Sequence, residues 1–132
     1  MGVIKKIGLL LKETIISPST ESYVIDKGND TYVIRSNGNY EGIDLSGVDL
    51  SSTQLNKVNL RGAILKDANL DNADFSGADL TNADLSGTTI SGTHFDSTKL
   101  NGANFNEASF EKPPSGVTQD ILKKIEEGSK DE

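Results

Sequence analysis

The sequence predicts an all-β solenoid, a chain wound into a square coil, and three observations predict it. A large apolar residue recurs at every fifth position from 45 to 110. A small or β-branched residue stands two places before each of these. The positions between are almost all Asp, Asn, Ser, Thr, Gly, Lys or Glu. A period of five fits neither an α-helix nor a plain strand. A chain that turns inward, outward and sharply sideways within five residues keeps two side chains inside and three outside, so four such units close one coil of 20 residues.

The segments follow in chain order. Over residues 1–40 the sequence predicts an N-terminal cap, because the end of a solenoid exposes unpaired backbone groups that recruit other chains. Val3, Ile4, Ile7, Leu10, Leu11, Ile15 and Ile16 fall on a broad helical stripe with Lys5, Lys6 and Lys12 elsewhere, which predicts a helix ending near Ser17-Pro18. Packing against the coil is its expected role; lying on a membrane surface is the alternative. Tyr23-Val24-Ile25 and Tyr32-Val33-Ile34 flank residues 26–30, which predicts a β-hairpin with a glycine-containing loop.

Residues 41–112 carry the repeat. Its large apolar positions are Leu45, Leu50, Leu55, Leu60, Leu65, Leu70, Phe75, Leu80, Leu85, Ile90, Phe95, Leu100, Phe105 and Phe110. Leu, Ile and Phe make up 28 of 132 residues. Fourteen coincidental hits would therefore have a probability on the order of one in a billion. The small register runs Ile43, Val48, Thr53, Val58, Ala63, Ala68, Ala73, Ala78, Ala83, Thr88, Thr93, Thr98, Ala103 and Ala108. Stacking by 20 residues sorts the large positions into four inner columns, for example Leu55, Phe75 and Phe95. The interior is then filled and leaves no room for a ligand.

Tracts such as Ala68-Asn69-Leu70, Ala73-Asp74-Phe75, Ala78-Asp79-Leu80 and Ala83-Asp84-Leu85 resemble the consensus of the pentapeptide repeat family. The resemblance implies a right-handed quadrilateral parallel β-helix of about three and a half coils, about 17 Å tall at one strand spacing of ~4.8 Å per coil. Residues 113–132 form the other end. Pro113-Pro114 breaks the repeat, and Val117, Ile121, Leu122 and Ile125 predict a short capping helix, with Thr118 as N-cap and Gly128 just past its end.

Candidate chemistry is sparse. His94 is the only histidine, it has no second His for a metal pair, and the repeat points it outward. The Ser-Gly pairs recur at coil corners as turn residues, so they are not phosphate loops. No catalytic, cofactor-binding or metal-ligating residue is assigned, and the expectation is that the protein is not an enzyme. With no Cys there is neither a disulfide framework nor a thiolate zinc site, and a cytoplasmic location is expected. The longest apolar run, Ile7 to Leu11, is too short to span a bilayer.

The remaining feature is the outer surface. The chain carries 20 acidic and 13 basic residues, a formal net charge of −7. Residues 41–112 hold 11 acids against five bases, so −6 of that lies on the coil. This excludes direct binding to a phosphate backbone in the absence of a basic patch. Asp44, Asp67, Asp84 and Glu107 map to one face and Asp49 and Asp71 to the next, and together they form the candidate acidic surface. The leading expectation is a non-catalytic module that binds a protein partner, as a monomer or a dimer through an end cap. The resemblance supplies the alternative, because the quinolone-resistance members of the family are acidic DNA mimics that bind DNA gyrase.

Overall fold

The computed structural model describes residues 3–7 and 22–129. Its elements are β1 (Val3–Ile7), β2 (Ser22–Lys27), β3 (Asp30–Arg35) and, near the C-terminus, α1 (Gln119–Ser129). Between β3 and α1 the chain winds as a four-sided coil.

Local geometry explains the period of five. At each corner the carbonyl of the large apolar residue accepts the N–H of the residue three places on, as in Ala63 N–H to Leu60 C=O at 3.0 Å. Between them lies a residue with positive φ, and such residues recur every five places from Asn37 to Glu107. One positive-φ residue at the third place of a four-residue turn is the pattern of a type II turn. Eight of these corner residues are not glycine, among them Asn72, Asn82, Asp67 and Lys57. Asn and Asp tolerate this conformation best after Gly, whereas Lys57 is held there by the surrounding coil.

Each side then contributes one residue to a parallel bridge with the residue 20 places on. The four ladders run Asn39, Asn59, Asp79, Lys99; Asp44, Ile64, Asp84, Asn104; Asp49, Asn69, Thr89, Ser109; and Gln54, Asp74, His94, Ser115. Four rungs, three spacings apart at ~4.8 Å, give each face a height of about 14 Å. Pairing thus starts before residue 41 and ends after 112. Tyr40 occupies the large position five residues before Leu45, and its ring fills the space that a side chain at Gly38 would need. At the far end Pro113-Pro114 adds one residue, so the last rung pairs His94 with Ser115 rather than with position 114.

The interior is packed as the periodicity requires. All large positions from Leu45 to Phe95 are fully buried. Phe75 and Phe95 stack with centroids 6.0 Å apart, and Phe95 and Phe105 are nearly perpendicular with centroids 6.1 Å apart. Where threonine replaces alanine in the small register, its hydroxyl finds a carbonyl: Thr53 on Leu50 at 2.6 Å, Thr88 on Leu85 at 2.7 Å and Thr93 on Leu70 at 2.7 Å. These bonds offset the cost of burying a hydroxyl. Leu100, Phe105 and Phe110 are only half-buried, so the coil is less tightly closed at its C-terminal end.

The first coil is covered by the antiparallel sheet β1-β2-β3. Tyr23, Ile25 and Ile34 join the coil's core, the Gln54 N–H donates to the Tyr23 hydroxyl at 2.8 Å, and the Lys27 ammonium donates to Asp44 at 3.1 Å and to Ser46 at 3.0 Å. The hairpin register pairs Lys27 with Asp30, so its loop is only Gly28-Asn29, shorter than the five residues the sequence suggests. Gly28 has φ 69°, the glycine placement of a type II′ hairpin.

The N-terminal helix is a correction over residues 3–7, which form a strand with Val3 opposite Asp26 and Ile7 opposite Ser22. The edge of β2 offers these residues a ladder of backbone partners, and three of the five are β-branched, which suits a strand better than a helix. The rest of the expected helix, with Leu10, Leu11, Ile15 and Ile16, lies outside the described residues. At the other end α1 begins as expected, with the Thr118 hydroxyl accepting the Ile121 N–H at 3.3 Å. Ile125 is buried, and Val117 and Ile121 pack against the core. The helix runs through Gly128, which therefore lies within its last turn and not past its end.

Candidate functional site

The core leaves only the outside and the ends of the coil to act. On the faces, the residue just before each large apolar position points outward. When it is aspartate, its carboxylate turns back to accept the N–H two residues on, closing an Asx turn. Asp44, Asp49 and Asp84 do this with Ser46, Ser51 and Ser86, each at 3.0 Å. Asp49 and Asp84 also take the serine hydroxyl at 2.6 Å. Asp71 holds the Ser91 N–H of the next coil at 2.9 Å. Four of the six candidate acidic residues are thus committed to shaping the coil. Asp67 and Glu107 differ: both stand at exposed corners with φ 61°, and the Asp67 carboxylate lies over Gly87.

The electrostatics follow from these bonds. The Asp44 carboxyl is lowered to about 2, chiefly by the Ser46 N–H and hydroxyl, and further by Lys27. Asp84 is held below its usual range by the hydroxyl and N–H of Ser86, and Asp79 by Thr81 and Arg61. All three are therefore ionised near neutrality, as general acids are not. Arg61 reaches both Glu41 at 3.8 Å and Asp79 at 3.4 Å, which makes that face mixed in sign. On the first face Ile64 and Asn104 alternate with Asp44 and Asp84 along the ladder, and on the second the uncharged Asn69, Thr89 and Ser109 follow Asp49.

His94 takes part in a small cluster the sequence did not reveal. Its Nδ1 lies 3.1 Å from the Ser115 hydroxyl, which in turn donates to Asp96 at 2.8 Å. Because Ser115 gives its proton to the carboxylate, it accepts from Nδ1–H and is not activated as a nucleophile. The cluster fastens the displaced last rung. Only the one-residue offset after Pro113-Pro114 brings Ser115 under His94, so the spacing alone could not reveal it. Tyr40 and Lys27 were also missed; Tyr40 could have been found by accepting an aromatic at the fifth position before Leu45. Among the described residues there is no group of three or more His, Cys, Asp or Glu able to hold a metal ion, and no helix long and apolar enough to cross a membrane.

The C-terminal end differs from the faces. The last coil and α1 bound an open groove of about 210 Å³ formed by Ala103, Asn104, Phe105, Asn106, Ile121 and Lys124. Half-buried apolar side chains here meet backbone groups, the Phe105 N–H and the Ala103 C=O, that have no partner among the described residues.

Comparison with known proteins agrees with the repeat geometry. The model for pentapeptide repeats matches in 8 copies over residues 36–67, 43–82 and 78–112, more than half of the chain. No curated protein matches by sequence. Among solved structures, the chain is similar to alr5209, a pentapeptide repeat protein from Nostoc PCC 7120, at 29% identity over 68% of this chain and 83% of that one, with a TM-score of 0.44. It is also similar to HetL, a pentapeptide repeat protein involved in heterocyst differentiation regulation from Nostoc sp. strain PCC 7120, at 31% identity over 64% of this chain and 43% of that one, with a TM-score of 0.43. A third, QnrB1, a plasmid-mediated fluoroquinolone resistance protein, shares 14% identity over 69% of this chain and 55% of that one, with a TM-score of 0.22. By the match of its repeats, the chain belongs to the pentapeptide repeat family, whose members fold as right-handed quadrilateral β-helices.

Proposed function

We propose that the protein is a non-catalytic module that binds a protein partner. The observation that carries this reading is the filled interior: the large positions from Leu45 to Phe95 are fully buried. Catalysis on a small molecule needs a concave site with converging groups, and a packed square coil supplies rigid outer ladders in its place. The absence of cysteine is in keeping with work in a reducing cytoplasm.

Acidic mimicry of DNA is the weaker reading. Four of the candidate carboxylates are tied into turns, and a height of about 14 Å matches only about four base pairs at ~3.4 Å each. The test is capture of partners from the native host with the full chain as bait, run beside gyrase supercoiling with and without a fluoroquinolone. A reproducible partner with no effect on gyrase at micromolar protein supports the module. Failure to recover any partner sinks it, and inhibition or protection of gyrase replaces it with the mimic.

A further inference from the structure

Within the stack, two backbone groups per rung are always used by the rung below. On the face of Asp44, Ile64, Asp84 and Asn104, the Leu85 N–H donates to the Asn104 C=O at 2.7 Å, and the Ala83 C=O accepts the Asn104 N–H at 3.0 Å. On the opposite face Ser115 closes the last rung in the same way. It accepts the Phe95 N–H and donates to the Thr93 C=O, both at 2.9 Å, although it comes from a segment that no longer follows the repeat. The edge therefore accepts a strand of non-repeat sequence. On the Asn104 face the equivalent groups are the Phe105 N–H and the Ala103 C=O, and nothing among the described residues pairs with either. Both border the groove under α1.

The wall of that groove adds chemistry to the open edge. Ile121 gives it an apolar side, and Lys124 stands on its rim. Lys123 next to it lies 3.9 Å from Glu127, whereas Lys124 has no ion pair among the described residues. We propose that this edge binds an extended segment of a partner protein as one added rung, with an apolar side chain entering between Ala103, Phe105 and Ile121 and an adjacent carboxylate meeting Lys124. The inference rests on the interaction-module reading and names its site and partner class. Backbone pairing supplies affinity that tolerates many sequences, and the apolar pocket with its cation selects among them. The rest of the molecule is net acidic, at −7 overall. A carboxylate-bearing segment is therefore repelled elsewhere and drawn to the groove, where Lys124 sets its register.

The test is a random peptide library displayed on phage and panned on the full chain. The expected outcome is a selected motif with an apolar residue beside Asp or Glu. Its binding should weaken about tenfold in Lys124→Glu. It should weaken similarly when the pairing amide of the synthetic peptide is N-methylated, a change that leaves the protein untouched. The Phe105 amide should exchange more slowly when the peptide is bound. Selection of no peptide, or peptides indifferent to both changes, overturns the proposal. If protection of Phe105 rises with protein concentration alone, the occupant is a second copy and the proposal is likewise overturned. A host partner whose binding survives Lys124→Glu overturns the edge but leaves the interaction module standing; recovery of no partner at all removes the module itself.

Discussion

The corner column Gly47, Asp67, Gly87, Glu107 allows the turn geometry to be tested by a comparison internal to the protein. Gly47 and Gly87 have nearly the same backbone, φ 69° and 67°. A Cβ at Gly47 would meet open space, whereas one at Gly87 would overlap the Asp67 carboxylate from the coil above. Placing alanine at positive φ costs roughly 1–2 kcal/mol, offset by about 0.4–1 kcal/mol because alanine restricts the unfolded chain. Gly47→Ala should therefore destabilise by about 0.5–1 kcal/mol. Gly87→Ala bears the same backbone cost and must also push the Asp67 side chain off its rotamer, which adds roughly 0.5–1.5 kcal/mol. Urea unfolding followed by circular dichroism reads the difference as a shift in midpoint at constant slope. In an Asp67→Gly background the extra loss at Gly87 should vanish, and that coupling is the decisive quantity. Equal losses at the two glycines, or no rescue by Asp67→Gly, would refute the argument that stacked corners are in steric contact.

Other outcomes follow from burial and charge. Leu70→Ala, in the middle of the stack and fully buried, should cost about 3–5 kcal/mol, and Leu100→Ala, half-buried in the last coil, should cost clearly less, by the same unfolding assay. Asp44, Asp79 and Asp84 all have carboxyls lowered in the folded protein, so their stabilisation is fully present above the ordinary carboxylate value of 3.8 and is lost as pH falls through the folded values, about 2 for Asp44. Melting temperature should drop between pH 4 and pH 2, and Asp84→Asn should flatten that drop; an unchanged profile would count against the Asx-turn bonds. Lys27→Ala removes the tie between hairpin and first coil. Because Asp44 is largely exposed the loss should stay below about 1 kcal/mol, with faster amide exchange in β2 and β3 as the sensitive readout.

The repeat could be read directly because its cause is local. Each five-residue unit carries its own turn and its own two inward side chains, so Leu45 through Phe95 could be assigned to the core from spacing alone. The same holds for Thr118 as N-cap, whose bond reaches only three residues along the chain. Reading failed where a segment's structure depends on a distant partner. Val3–Ile7 has a helical spacing of apolar residues yet pairs as a strand, because β2 presents an edge that no local pattern can foresee. Ser115 carries no mark of the repeat yet completes a ladder with His94, because two prolines displace it by one residue.

The acidic surface divides in the same way. That carboxylates crowd two faces is legible in the sequence, since their positions follow from the coil of 20 residues. The Asx turns of Asp44, Asp49 and Asp84 span only two residues and are local too, whereas the bond from the Ser91 N–H to Asp71 and the exposed corner places of Asp67 and Glu107 follow from the stacking of successive coils. The physical reason is reach. Periodicity fixes which side of the chain a residue occupies, whereas a hydrogen-bond partner on another coil, or the absence among the described residues of a partner for the Phe105 N–H and of an ion pair for Lys124, depends on segments brought together by folding.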